Sequence, residues 1–267
     1  MAITPRLRDP DLLNGFVKGK ISVVMPAFNE ADCIIKSITD VREQFEAVCQ
    51  KCEIIVVDDG STDETRKLAE ATADGHVVKV LGYPTNQGKG HALKMGFHRA
   101  TGEYTFMFDS DSEIQPKELI PYITALQSAD IVIGSKRHPL SRVRTPVLRR
   151  FLSLGFNVLE RILTGVRATD TQAGLKAARS EALYRVLPLL SVKKYAFDAE
   201  LLSVASLLDL RIEELPVFIE LRASFSIRKV FRMFIDLLGI AYRLRVSHWY
   251  QRNMVTMSKT YRPIIQW

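Results

Sequence analysis

From residue 21 the chain alternates short, almost wholly apolar runs with longer segments whose apolar residues recur at helical spacing. ISVVMPAFNE reads as a strand and ADCIIKSITDVREQFEAV as a helix. EIIVVDDGS is the next strand, and a helix follows that opens on Ser61, Thr62 and Asp63 with Glu64 in its first turn, a composition suited to capping. HVVKVLGY, the glycine-punctuated helix GKGHALKMGFHRATG, the strand YTFMFD, a helix begun by Pro116 and the strand DIVIGS continue the series. This βαβαβ order predicts an α/β fold with a mostly parallel sheet.

Apolar strands that end in polar residues place those residues at the carboxyl edge of such a sheet, where open α/β folds bind ligands. Asn29 and Glu30, Asp58 and Asp59, and Asp109 and Asp111 all fall at strand ends. Several carboxylates converging there would repel one another unless a cation lay between them.

The second half changes character. Residues 136–150 hold six Lys or Arg and no acid. Leu148, Phe151, Leu152, Gly155, Leu159, Ile162 and Leu163 then share one predicted helical face, with Arg149, Ser153 and Glu160 opposite. In IRKVFRMFIDLLGIAYRLRVSHWY, Phe231, Phe234, Ile235, Leu238, Tyr242 and Trp249 form a wide apolar arc beside a narrow stripe of Arg232, Asp236 and Arg243. Such an arc fits a helix lying in a membrane interface and fits a core helix as well. The expected organisation is an N-terminal extension (1–20), a catalytic domain (21–222) and an amphipathic C-terminal helical segment (223–267).

With 267 residues, 47% of them hydrophobic, the chain can bury a full core. A formal charge of +7 points to an anionic partner. Basic residues bordering amphipathic helices suit lipid or phosphate better than nucleic acid, which would call for a basic stripe with stacking aromatics. Cys33, Cys49 and Cys52 lack the second ligand pair of a zinc site and read as reduced thiols. The N-terminus has charges and prolines where an export signal has an apolar core, and no run reaches the roughly 20 apolar residues of a membrane span. Membrane contact is therefore expected to be peripheral, at the cytoplasmic face.

Asp109-x-Asp111 at a strand end fits Mg²⁺ or Mn²⁺ held by carboxylates and substrate phosphates. In DDGSTD one carboxylate can accept hydrogen bonds from a base or ribose while Gly60 allows close backbone approach. NQGKGHAL offers glycines, Lys89 and a helix N-terminus to an anion, without the spacing of a P-loop.

In order along the chain, PAFNE, VVDDGSTD, NQGKGHAL, FDSDSE, IGSKR, DTQAGLK and YAFDAELL resemble the motifs of inverting GT-A-fold glycosyltransferases. The likeness is to the polyprenyl-phosphate branch, dolichyl-phosphate β-glucosyltransferases first and mannose synthases more distantly. The resemblance implies a Rossmann-like sheet, a nucleotide-sugar donor and a polyprenyl or dolichyl phosphate acceptor. It implies that Pro26, Phe28, Glu30 and Asp58, with Asp59 of the same motif, line the nucleotide. It assigns Asp109, Asp111 and Glu113 to metal and diphosphate, and Lys136 and Arg137 to a phosphate. Asp170, Gln172 and Asp198 match a shared motif whose role is catalytic or structural. Two departures stand out: Glu113 replaces the Gln usual in mannose synthases, and Ser224-Phe225 stands where a Ser-Lys pair is usual, leaving Arg222 or Arg228 as the substitute cation.

A phosphate monoester has a second pKa near 6 and arrives largely ionised, so transfer to it needs no general base. The expected reaction is inverting hexosyl transfer from UDP-glucose or UDP-N-acetylglucosamine, giving a β-linked lipid-phosphate sugar. A hydroxyl acceptor would instead need Asp198 or Asp170 as base. Two further alternatives are GDP-mannose as donor and a non-catalytic sugar-nucleotide-binding protein at the membrane surface.

Overall fold

The computed structural model describes residues 19–109, 119–144, 147–166, 168–171, 175–194, 196–220 and 227–260. Its strands are β1 (Ile21–Ala27), β2 (Cys52–Asp58), β3 (Val78–Gly82), β4 (Tyr104–Met107), β5 (Ile131–Ser135), β6 (Arg142–Arg144), β7 (Lys176–Arg179), β8 (Ile212–Pro216) and β9 (Phe218–Glu220). The helices are α1 (Ile34–Val48), α2 (Thr65–Thr72), α3 (Lys89–Arg99), α4 (Leu119–Ala125), α5 (Val147–Thr164), α6 (Ser180–Val186), α7 (Phe197–Leu207), α8 (Ile227–Ala241) and α9 (Trp249–Thr260).

Seven strands form one sheet in the order β3-β2-β1-β4-β7-β5-β8. All its pairings are parallel except those of β7, which runs antiparallel to both β4 and β5. The expected mostly parallel α/β sheet is present; the reversed strand in its middle was not foreseen. That reversal has a chemical consequence, because it sets the first residue of β7, Lys176, opposite Met107 at the carboxyl end of β4 and Ile133 in the middle of β5. β6 and β9 pair separately as a two-stranded parallel ribbon.

The central strands are buried on both faces, so they read as continuous apolar runs. Val24, Ile55 and Val57 face a core shared with Leu93 and Phe97 of α3 and Phe197 and Leu201 of α7. Val23, Met25, Ile54 and Val56 face the other core, with Ile38 and Phe45 of α1 and Tyr122 of α4. Each such side chain contributes about 1.5–3 kcal/mol on burial. One polar exception is Glu53, fully buried on β2. It accepts hydrogen bonds from Ser22 Oγ (2.6 Å), Thr101 N (2.7 Å) and Lys79 Nζ (2.7 Å), which outweigh burial and hold its pKa down at about 2.

The start of one helix is corrected, and the burial of another is decided by packing. α2 begins at Thr65, and its first turn is met by Asp63, whose Oδ1 accepts the Thr65 N–H (3.0 Å); Ser61 Oγ instead accepts the Asn29 N–H (3.0 Å). On α5 burial does not follow the predicted apolar stripe. Asn157, Glu160 and Thr164 point inward and are buried, while Ile162 lies outside with Leu154 and Val158. Periodicity locates a stripe but not the chemistry of the surface it will meet, and here the inner neighbours include the polar residues Asp170 and Thr171. The expected helix start at Pro116 lies outside the described residues, and α4 is described from Leu119.

The C-terminal helices pack on the sheet's flank. Leu237 and Ile240 of α8 and Tyr250 of α9 belong to the core that contains α7. Arg243, in a π-helical turn between these helices, turns inward: its Nη2 lies 3.2 Å from Glu200 Oε1, and Tyr250 Oη donates to the same oxygen at 2.6 Å. No helix among the described residues is long and apolar enough to cross a membrane.

Candidate active site

The carboxyl ends of β1, β2 and β4 bring three segments to one edge of the sheet. Pro26 is buried near the end of β1, past the register with β4, which stops at Val24 opposite Met107, so its missing N–H is needed by no β4 partner. Phe28 follows and is 42% exposed. Asn29 turns the chain with φ 55°, and its Oδ1 accepts the Thr62 N–H (2.9 Å), tying the first strand end to the second. The Glu30 N–H donates to Thr65 Oγ1 (2.7 Å). Its own carboxylate accepts from Cys33 Sγ (3.3 Å).

Asp58 and Asp59 are both buried but are used differently. Asp58 Oδ1 accepts the Ser61 N–H (3.1 Å). Asp59 is saturated by the chain itself: Tyr83 Oη (2.7 Å), Asn86 Nδ2 (2.9 Å), Gln87 N (2.8 Å) and Gly88 N (2.9 Å) all donate to its two oxygens. Asp59 therefore shapes the 83–88 loop. Burial and this carboxylate push the Tyr83 hydroxyl far above its usual range, so Tyr83 stays a donor. Gly60, at φ +69°, lies under that loop, where a Cβ would come within 2.5 Å of the Thr85 carbonyl carbon.

The loop delivers Lys89 to the start of α3. Lys89 Nζ lies 2.7 Å from Asp109 Oδ1 and 3.8 Å from Asp198 Oδ2. Asp198 is in the first turn of α7, and Lys176 Nζ, buried on β7, approaches its other oxygen at 3.1 Å. Burial alone would raise the Asp198 pKa, but Lys176 and then Lys89 outweigh it and hold the carboxyl below its ordinary value. The sequence motif DTQAGLK contained Lys176 without marking it; a lone lysine opening a strand of alanines was the available signal.

After β5, the Lys136 N–H donates to Asp170 Oδ2 (2.9 Å), and its ammonium stands 3.7 Å from the same oxygen. The Arg137 Nη2 donates to the Ser153 carbonyl of α5 at 3.0 Å. Glu214, which sequence reading did not single out, holds this loop from β8: its carboxylate accepts from both the N–H and the hydroxyl of Thr169. Thr169 Oγ1 in turn lies 2.9 Å from Ser135 Oγ.

Behind this loop Glu160 is fully buried beside Thr171 and Asp170. Burial, and secondarily the charges of Asp170 and Asp198, push its pKa up to about 7 against opposing pulls from Thr171 and Lys176.

Asp111, Glu113, Gln172 and Arg222 lie outside the described residues. No group of three potential metal ligands converges among the described residues. Asp109, 31% exposed at a strand end, belongs by sequence to an all-oxygen set with Asp111 and Glu113, which is donor chemistry suited to Mg²⁺ or Mn²⁺.

The sequence profile of glycosyl transferase family 2 matches residues 22–187, which include every strand-end carboxylate described above. The chain belongs to glycosyl transferase family 2. This glycosyltransferase is 34% identical over 247 residues to a dolichyl-phosphate β-glucosyltransferase of Trichomonas vaginalis, covering 85% of this chain and 72% of that protein. It is 29% identical to an undecaprenyl-phosphate mannosyltransferase of Micrococcus luteus, over 75% of this chain and 84% of the other. Among solved structures, its fold matches glucosyl-3-phosphoglycerate synthase from Mycobacterium tuberculosis in complex with Mn²⁺, UDP-glucose and phosphoglyceric acid. The TM-score is 0.67 at 19% identity, covering 90% of this chain and 85% of that one. The glycosyltransferase therefore has the GT-A fold expected from its motifs.

Proposed function

We propose that this glycosyltransferase moves glucose from UDP-glucose to the phosphate of a polyprenyl or dolichyl lipid at a membrane surface, with inversion at the sugar carbon. The observation that carries the acceptor class is the state of Asp198. A general base works best with a pKa near the working pH, whereas Asp198 is depressed by Lys176 and Lys89. Such a carboxylate is a weak base toward a sugar hydroxyl. A phosphate monoester needs none, because it is already largely ionised at neutral pH. The relationship to lipid-phosphate sugar transferases agrees with that chemistry.

In this reading Phe28, Glu30 and Asp58 contact the nucleotide, Pro26 and Asp59 shape the walls around it, and Lys89 with the N-terminus of α3 attracts the donor diphosphate. Asp109, Asp111 and Glu113 would hold Mg²⁺ or Mn²⁺, which when bound supplies positive charge to the departing diphosphate. Lys136 and Arg137, with Arg222 as a further cation, receive phosphate oxygens. Lys176 keeps Asp198 ionised, so that Lys89 stays placed between two carboxylates at the strand end. The task left to the protein is to hold an anionic nucleophile in line with the sugar and to exclude water.

The test is a transfer assay with purified protein, Mg²⁺ or Mn²⁺, a short polyprenyl phosphate, and radiolabelled UDP-glucose, UDP-N-acetylglucosamine and GDP-mannose in parallel. A β-linked glucosyl lipid formed only with metal is the expected product. The mannosyltransferase relative makes GDP-mannose the second candidate donor. Labelled donor consumed only when a hydroxyl acceptor is supplied would overturn the proposal.

A further inference from the structure

Eleven large apolar side chains are exposed among the described residues, and eight of them lie on α5, α8 and the turn that follows α8. Phe231, Ile235, Leu238 and Tyr242 stand at i, i+4, i+7 and i+11, a single helical stripe. Phe231 is 62% and Tyr242 58% exposed, far from the burial a core helix would give them. α8 packs against α5, whose own outward residues are Leu154, Val158 and Ile162, and Arg245 donates to the Ile162 carbonyl, fastening the two edges together.

The charges on these elements are sorted by sign. Their two acids, Glu160 and Asp236, turn inward: Glu160 is buried beneath the active-site loop, and Asp236 takes a hydrogen bond from the Ala196 amide. The exposed ions are arginines, namely Arg161, Arg232 and Arg245. An apolar band with only cations among its exposed described charges would repel a basic second copy of this chain at that border and would match an acyl surface rimmed with anionic headgroups.

We infer that the paired outer faces of α5 and α8 dock this glycosyltransferase onto an anionic lipid bilayer. The inner sides of the same two helices reach the active site, α5 through Glu160 beside Asp170 and α8 through Asp236 at the start of α7. Docking on this face therefore fixes how the sheet edge stands relative to the membrane. The inference supplies the surface for the proposed function and rests on it only for the acceptor being a lipid.

The experiment is co-sedimentation of the full chain with vesicles of phosphatidylcholine alone and with added phosphatidylglycerol, free of lipid phosphate acceptor and of donor. Phe231→Ser and Ile235→Asn are compared with Ile35→Asn, which alters an exposed isoleucine on α1. The expected result is salt-sensitive binding to the anionic vesicles that falls about tenfold in the two band variants and not in the control. All three variants should keep their melting temperature and their transfer rate to a short, water-soluble polyprenyl phosphate. Equal vesicle binding by wild type and band variants overturns the inference, as does a wild-type dimer in solution that Ile235→Asn dissociates. Because the vesicles carry no substrate, this result is independent of the transfer assay: binding without transfer sinks the proposed function alone, and transfer without binding sinks the docking face alone.

Discussion

The buried ammonium of Lys176 lies 3.1 Å from the carboxylate of Asp198, and it reaches that place because β7 runs backwards between two otherwise parallel neighbours. A buried ion pair adds little net stability over an apolar pair, but removing one partner strands the other. Lys176→Met should therefore cost about 3–5 kcal/mol in chemical denaturation. The double variant Lys176→Met with Asp198→Asn should recover much of that loss without recovering transfer, which separates the structural from the electrostatic role of the pair.

Glu160 gives the protein a signed pH dependence. Its pKa is raised by burial to about 7 from an ordinary value of 4.5, so the folded chain binds the extra proton between those values. Stability from this group is complete below the unfolded pKa and is lost as pH rises through 7. Glu160→Gln should be more stable than wild type above pH 7, by about 3 kcal/mol from that shift. The difference should shrink toward pH 4.5. Urea midpoints across that range would show it, and a constant offset would argue that Gln simply packs better.

Gly88 has φ +104°, and a Cβ there would come within 2.5 Å of the Lys193 carbonyl oxygen. Gly88→Ala should cost about 1–3 kcal/mol through backbone strain. It should also raise the donor KM, since this residue precedes Lys89. A calorimetric titration with UDP at unchanged affinity would disconnect the loop from the donor.

Asp59 is spent on its own loop, so Asp59→Asn tests shaping against contact. The amide would face the Gly88 and Gln87 N–H groups with one acceptor oxygen instead of two. A lower melting temperature with raised donor KM and little change in kcat is the expected pattern. A fall in kcat at unchanged KM would place Asp59 at the reacting atoms.

Asp111→Ala should abolish metal-dependent transfer while leaving the circular dichroism spectrum and melting temperature as in wild type. Near-normal transfer with Mn²⁺ present would remove Asp111 from the metal set.

Much of this molecule was written along the chain. Apolar runs such as IIVV and ISVV can be satisfied only by burial on both faces, and they end in carboxylates, so a parallel sheet with an acidic carboxyl edge followed from local pattern and burial alone. The strand ends at Phe28–Glu30, Asp58–Asp59 and Asp109 do lie at that edge. Local pattern could not decide partners far apart in sequence. It left Asp59 as a candidate ligand, where folding spends both its oxygens on the 83–88 loop, and it gave Lys176 no role until an antiparallel strand set it beside Asp198. On α5 it grouped Ile162 with an apolar stripe and set Glu160 opposite without deciding which side would be buried, because periodicity measures segregation and not the polarity of the surface that will cover it. That polarity belongs to residues on other elements, and only their packing makes a buried Glu160 and an exposed Ile162 the arrangement of this fold.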